Sequence, residues 1–126
     1  MSEPIVTITG MDKNSSTPSG EGALVNVHLN ITPPPSGWIS LFDQTWAQHI
    51  YMMKRRAHAT TRHIIIRCMP NELNSDHLPE LKKVIAETDE AYRKAVAVSE
   101  QRKQRQEEQD KKFRDDLDDA ADNLNL

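Results

Sequence analysis

Residues 23–32 read Ala-Leu-Val-Asn-Val-His-Leu-Asn-Ile-Thr, and their alternation decides the fold class. On an extended chain Ala23, Val25, Val27, Leu29 and Ile31 share one side, and Asn26, His28 and Asn30 share the other. A period of two over that length predicts a β-strand with one face on a core and one toward water or a partner. Pro33-Pro34-Pro35 follows and ends the strand, because proline cannot donate to a ladder.

Upstream, Ile5 to Thr9 predicts a first short strand, closed by Gly10. Residues 11–22 are rich in Gly, Ser, Asn and Pro and are expected to form a flexible loop. Its length exceeds a tight hairpin, so pairing of the two strands stays open. Downstream, Ser36 is the expected N-cap of a helix running to about Ile50. Trp38, Leu41 or Phe42, and Trp46 recur on it at steps of three and four. That aromatic face is expected to plug the core against the sheet; a stacking platform would require exposed rings. Tyr51 to Thr61 fits either an extension of this helix or a basic loop. Arg62 to Met69 predicts a strand, with Ile64, Ile66 and Cys68 on one face and His63, Ile65, Arg67 and Met69 on the other. Three successive isoleucines point to a central strand.

From about His77 the pattern turns helical, with Asp76 as the expected cap and Pro79 in the tolerant first turn. Leu78, Leu81, Ile85, Thr88, Tyr92 and Ala95 form a stripe that Val84, Ala91 and Val98 widen, which suits packing on a sheet. The seam then passes to Ser99, Arg102, Gln106 and Gln109, and residues 99–112 contain no apolar side chain. Helix is still expected there, because Glu107 with Lys111, Glu108 with Lys112 and Asp110 with Arg114 are acid-before-base pairs four apart. A helix from His77 to near Asp119 is roughly 65 Å long, so its end is expected to project or meet a partner.

The element order β-β-α-β-α predicts an α+β fold: a small antiparallel sheet covered by the aromatic-rich helix and the start of the long charged helix. Residues 1–98 are expected to form the compact domain, and 99–126 a projecting charged helix with an acidic tail. The expected core comprises Val25, Val27, Leu29, Trp38, Trp46, Ile64, Ile66, Leu81, Ile85 and Tyr92.

The chain has 126 residues and a formal net charge of −3, with a mean hydropathy of −0.71. One domain is the natural count, with part of the chain outside any core. The net charge hides a segregation. Residues 44–71 contain five bases (Lys54, Arg55, Arg56, Arg62 and Arg67) and no acid, whereas 115–126 contain five aspartates and no base. The basic segment is a candidate contact for nucleic acid or for an acidic partner. The bland reading is that it pairs with the acidic helix of the same or another copy, and the overall acidic balance with no nucleic-acid reading motif favours that.

Several chemistries are excluded. No apolar run approaches the roughly 18 residues of a spanning helix, so no membrane role is expected. P-loop, dinucleotide-binding, nucleophile-elbow and zinc-protease motifs are absent. His58, His63 and Cys68 are the tightest metal-like grouping, but the odd offset puts His63 and Cys68 on opposite faces of a strand. No metal or other cofactor is therefore expected. Glu87, Asp89 and Glu90 read as surface charge, and a thiol within an apolar strand is inert, so the chain is read as non-catalytic. The single Cys68 and a start, Met1-Ser2-Glu3-Pro4, unlike a secretory leader point to the cytoplasm.

The expected function is a protein–protein interaction module: a small regulator, an inhibitor or an assembly component. Phe113, Leu117 and Leu124 keep helical spacing among aspartates that include Asp115 and Asp116, and form the candidate partner-binding face. A homodimer is expected, by sheet extension or by coiled-coil pairing of the long helices. The alternative is a nucleic-acid-binding accessory protein using residues 54–67.

Overall fold

The computed structural model describes residues 3–125. The reading of Met1 and Ser2 as the start of a chain without a leader lies outside them. In chain order the elements are β1 (Ile8–Met11), β2 (Thr17–Pro18), β3 (Val25–Ile31), α1 (Trp38–Gln48), β4 (Ala57–Ala59), β5 (His63–Cys68) and α2 (Leu78–Asp122). A 3₁₀ turn at Pro70–Glu72 and a π-helical turn at Leu73–His77 lead into α2. The sheet is antiparallel with the order β1-β3-β5-β4, and β2 pairs with β3. The α+β class read from the element order is the class the chain adopts. Two compact units divide between Tyr92 and Arg93.

The first unit is built on the β3–β5 pair. Val25 lies opposite Cys68, Val27 opposite Ile66 and Leu29 opposite Ile64, so the period-two pattern of each strand presents one apolar face. Trp38, Phe42 and Trp46 of α1 close over that face, together with Leu81, Val84 and Ile85 of α2. Steps of four put the three rings in a row, with centroids 5.4 Å apart for Trp38 and Phe42 and 6.3 Å for Phe42 and Trp46. All three are buried, so the aromatic face is core and not a platform. Val25 and Tyr92 sit at the margin of this cluster, half-buried.

Locally the structure departs from the pattern of the sequence at several points. The first strand begins at Ile8, and Gly10 lies within it beside a bulge that offsets the register between Ile8 and Gly10. β1 does pair with β3, and within residues 11–22 the pair Thr17–Pro18 adds to the same edge. Ser36 does not cap α1. Gly37 takes that position at φ 91, a left-handed conformation that costs glycine nothing and a serine much more. α1 ends at Gln48 rather than Ile50, where His49 turns extended. Residues 51–61 hold a loop and the short strand β4, so β5 is flanked on both sides, as its isoleucines require. Asp76 falls inside the π-helical turn and caps nothing; upstream, Glu72 Oε1 accepts the Met69 N–H at 3.1 Å.

The largest departure concerns Asp89. It is buried, and Oδ1 accepts from Trp38 Nε1 at 2.8 Å while Oδ2 accepts from the Ile5 N–H at 2.9 Å. Both donors would be stranded in a dry interior without it. We therefore expect Asp89→Ala to destabilise the fold by about 2–4 kcal/mol, and the exposed Glu87→Ala by no more than about 0.5 kcal/mol. Ile66→Ala, which empties a core position, should cost about 2–5 kcal/mol. Urea unfolding of the three variants checks the ranking.

Candidate partner-binding site

The connection from α1 to β4 is fastened at several points. Lys54 Nζ donates to the carbonyl of Trp46 and lies 3.4 Å from that of Ala47, at the C-terminal end of α1 where unpaired carbonyls favour a cation. The same ammonium stands 5.4 Å from the Trp46 ring centroid. Trp46 Nε1 donates to the Arg55 carbonyl at 3.2 Å. Arg55 Nε donates to Glu72 Oε1 at 2.9 Å, and the Tyr51 hydroxyl meets His77 Nδ1 at 2.7 Å.

Between these fastenings three large apolar side chains face water: Ile50 at 89% exposure, Met52 at 88% and Met53 at 59%. Met53 holds φ at 61, alone among the described residues other than glycine. A side chain with a Cβ loses roughly 1–2 kcal/mol in that conformation, so the surrounding bonds impose it. The result is an ordered apolar tip. Sequence reading missed it, although Ile-Tyr-Met-Met directly after a helix end, with no periodicity to bury it, was the available signal.

Beside the tip lies an open groove of about 460 Å³. Trp46, Ala47 and Ala57 supply apolar lining, Lys54, Arg55, Arg56 and His58 supply the basic side, and Asp43, whose Oδ1 accepts the Ala59 N–H at 3.0 Å, is the one acid in it. A second hollow of about 250 Å³ brings Arg67 together with Lys54, Arg55 and Arg56. Arg62 lies apart, exposed in the turn between β4 and β5. The cations differ in availability. Arg55 is engaged by Glu72, and Arg67 Nη1 meets Glu21 Oε1 at 2.9 Å. Neither acid lies on the long helix α2, from which the sequence suggested the counter-charges would come; Glu72 stands in the turn before it. Lys54 is spent on the end of α1, whereas Arg56 is exposed.

Arg55 and the Met69 N–H hold the Glu72 carboxyl down at about 2 from an ordinary 4.5, with Arg55 the larger cause. His77 Nε2 is fully buried 3.3 Å from Glu72 Oε1, but off the line of a hydrogen bond. Burial pushes the Tyr51 phenol up to about 12 and the Cys68 thiol up to about 11, so both stay protonated near neutrality. Among the described residues no group of three or more His, Cys, Asp or Glu side chains is placed to hold a metal ion.

The second unit begins at Arg93. Residues 94–125 are exposed throughout, and α2 stays helical to Asp122. Phe113 and Leu117 lie one turn apart on this helix, 65% and 54% exposed, with Asp115 and Asp116 between them also exposed. Leu124 is exposed too, but lies two residues beyond the helix end, where its N–H approaches the Ala121 carbonyl at 3.5 Å. Among the described residues no helix is long and apolar enough to cross a membrane. No family model, curated protein or solved structure matches this chain.

The depressed Glu72 pKa carries a pH signature. A carboxylate whose folded pKa lies below its unfolded value contributes stability that is complete above about 4.5 and is lost as pH falls toward about 2. Glu72→Gln should therefore flatten the unfolding midpoint between pH 4.5 and 2 relative to the parent chain, and shift it little in shape above pH 5. Thermal melts across that range measure it.

Proposed function

We propose that this chain is a non-catalytic protein-interaction module, acting as a small regulator, inhibitor or assembly component, with the end of α2 as its contact arm. One observation carries the reading: residues 94–122 keep a helical backbone while every side chain is exposed, Phe113 and Leu117 included. Helix without packing is marginal in water, and two large apolar groups one turn apart among aspartates form the kind of face that enters an apolar groove with a basic rim. Engagement of Arg55 and Arg67 by carboxylates weighs against the nucleic-acid alternative, because it removes two of the five cations available to phosphate. A cytoplasmic setting is supported by the single, buried Cys68.

The test uses the full chain as bait in an extract of its native cells, beside Phe113→Ala/Leu117→Ala, a double change that keeps helix propensity high. Circular dichroism should show equal helicity. Wild-type bait should retain a defined protein that the double variant loses. Retention unaffected by the change, or retention of nucleic acid that collapses with modest salt, overturns the reading.

A further inference from the structure

We propose that the end of α2 docks on the α1–β4 surface of a second copy of this chain. The proposal rests on the interaction-module reading and names the partner.

Charge identifies that partner first. Residues 44–71 carry five bases and no acid, and residues 115–122 carry five aspartates and no base. Of those five bases Arg55 and Arg67 already face Glu72 and Glu21 and Arg62 lies apart, so the positive charge of this surface that no carboxylate matches is at Arg56 and Lys54. Complementary fields raise the rate of encounter and disfavour wrong partners. Apolar chemistry agrees. The tip offers Ile50 and Met52, nearly all in water, and the partly exposed Met53, and the arm offers Phe113 and Leu117. Methionine is suited to such a contact, because its unbranched thioether adapts to an aromatic ring.

Size agrees as well. A groove of about 460 Å³ is too small for a helix some 10 Å across, but it accepts one ring. With Phe113 in the groove, Leu117 stands one helical turn along the same face of the arm. Asp116 is three residues on from Phe113, at the edge of the same face. Of the groove's lysine and arginine side chains only Arg56 is exposed, since Arg55 holds Glu72 and Lys54 is drawn to the end of α1. Arg56 and Asp116 are therefore the pair that sets the register. A second copy presents this surface in fixed stoichiometry to the arm.

Sedimentation equilibrium of the full chain from 1 to 100 μM, at low and high salt, decides it. Reversible association weakened by salt is expected. Phe113→Ala/Leu117→Ala and Met52→Glu should each weaken it about tenfold or more, as loss of an anchor does. Arg56→Glu and Asp116→Arg should each weaken it severalfold, and the two combined in one chain should restore it. Thermal melts confirm that the variants are folded. A chain monomeric at every concentration and salt overturns the proposal, as does association that no variant alters or a combined swap no better than either single change. If the chain is monomeric while the extract experiment still shows a Phe113- and Leu117-dependent partner, the module reading stands and only the second-copy assignment falls.

Discussion

Asp89 brings a carboxylate into the interior of the first unit, and both of its oxygens accept a hydrogen bond there. Trp38 has no exposure, so its indole N–H has no access to water and must find an acceptor within the protein. The partner it finds is on α2, and the same carboxylate takes the backbone N–H of Ile5. Three segments distant in sequence thus meet on one side chain. That contact fixes where α1 begins over the sheet. Trp38, Phe42 and Trp46 then run down one face of α1 at steps of four, so fixing the first ring fixes the row. Trp46 lies at the far end of the row, and its indole holds the Arg55 carbonyl. The position of the basic, apolar-tipped loop therefore descends from the buried carboxylate through a rigid aromatic stack.

What could be read from residues alone follows from how local each signal is. β3 declared itself because alternation from Ala23 to Ile31 is a property of neighbours. β5 did so through its isoleucines, and α1 through aromatic residues at helical spacing. Asp89 gave no such signal. It borders an apolar stripe beside charged residues, and its partners lie 51 and 84 residues away. Ser36 looked like a cap because serine is a good one, yet the glycine beside it could adopt a backbone that serine avoids. β4 is three residues long, below the length at which alternation is visible. Of the candidate site, the basic residues and the apolar positions of the arm were legible as composition and spacing. The division of the bases into engaged and available ones was not, because Glu21 and Glu72 reach them only through the fold.

The ordering of the α1–β4 loop has a physical consequence for binding. An apolar tip that is ordered before contact gives up little conformational entropy on contact. Lys54 against the end of α1, Arg55 on Glu72 and Tyr51 on His77 together provide that order, and the left-handed backbone at Met53 shows that they prevail over local preference. The same three bonds spend polar groups that would otherwise hydrate the loop. Ile50, Met52 and Met53 are left facing water beside the exposed Arg56.

The arm is organised on the opposite principle. Its helix begins on residues that are packed, so the unfavourable first turn is already formed and each further residue adds one hydrogen bond. Glutamate, glutamine, lysine and arginine from Glu100 to Arg105 and beyond are good helix formers and favour helix where no core supports it. Gln106 Nε2 reaching Asp110 Oδ1 at 3.0 Å adds to this along the surface. Structure is thus obtained without apolar area, and the few large apolar residues, Phe113 and Leu117 among them, are free for contact. A surface with so little apolar area cannot bind tightly by burial alone. Its selectivity must come from the aspartates around it, which makes any association of this arm sensitive to salt and reversible.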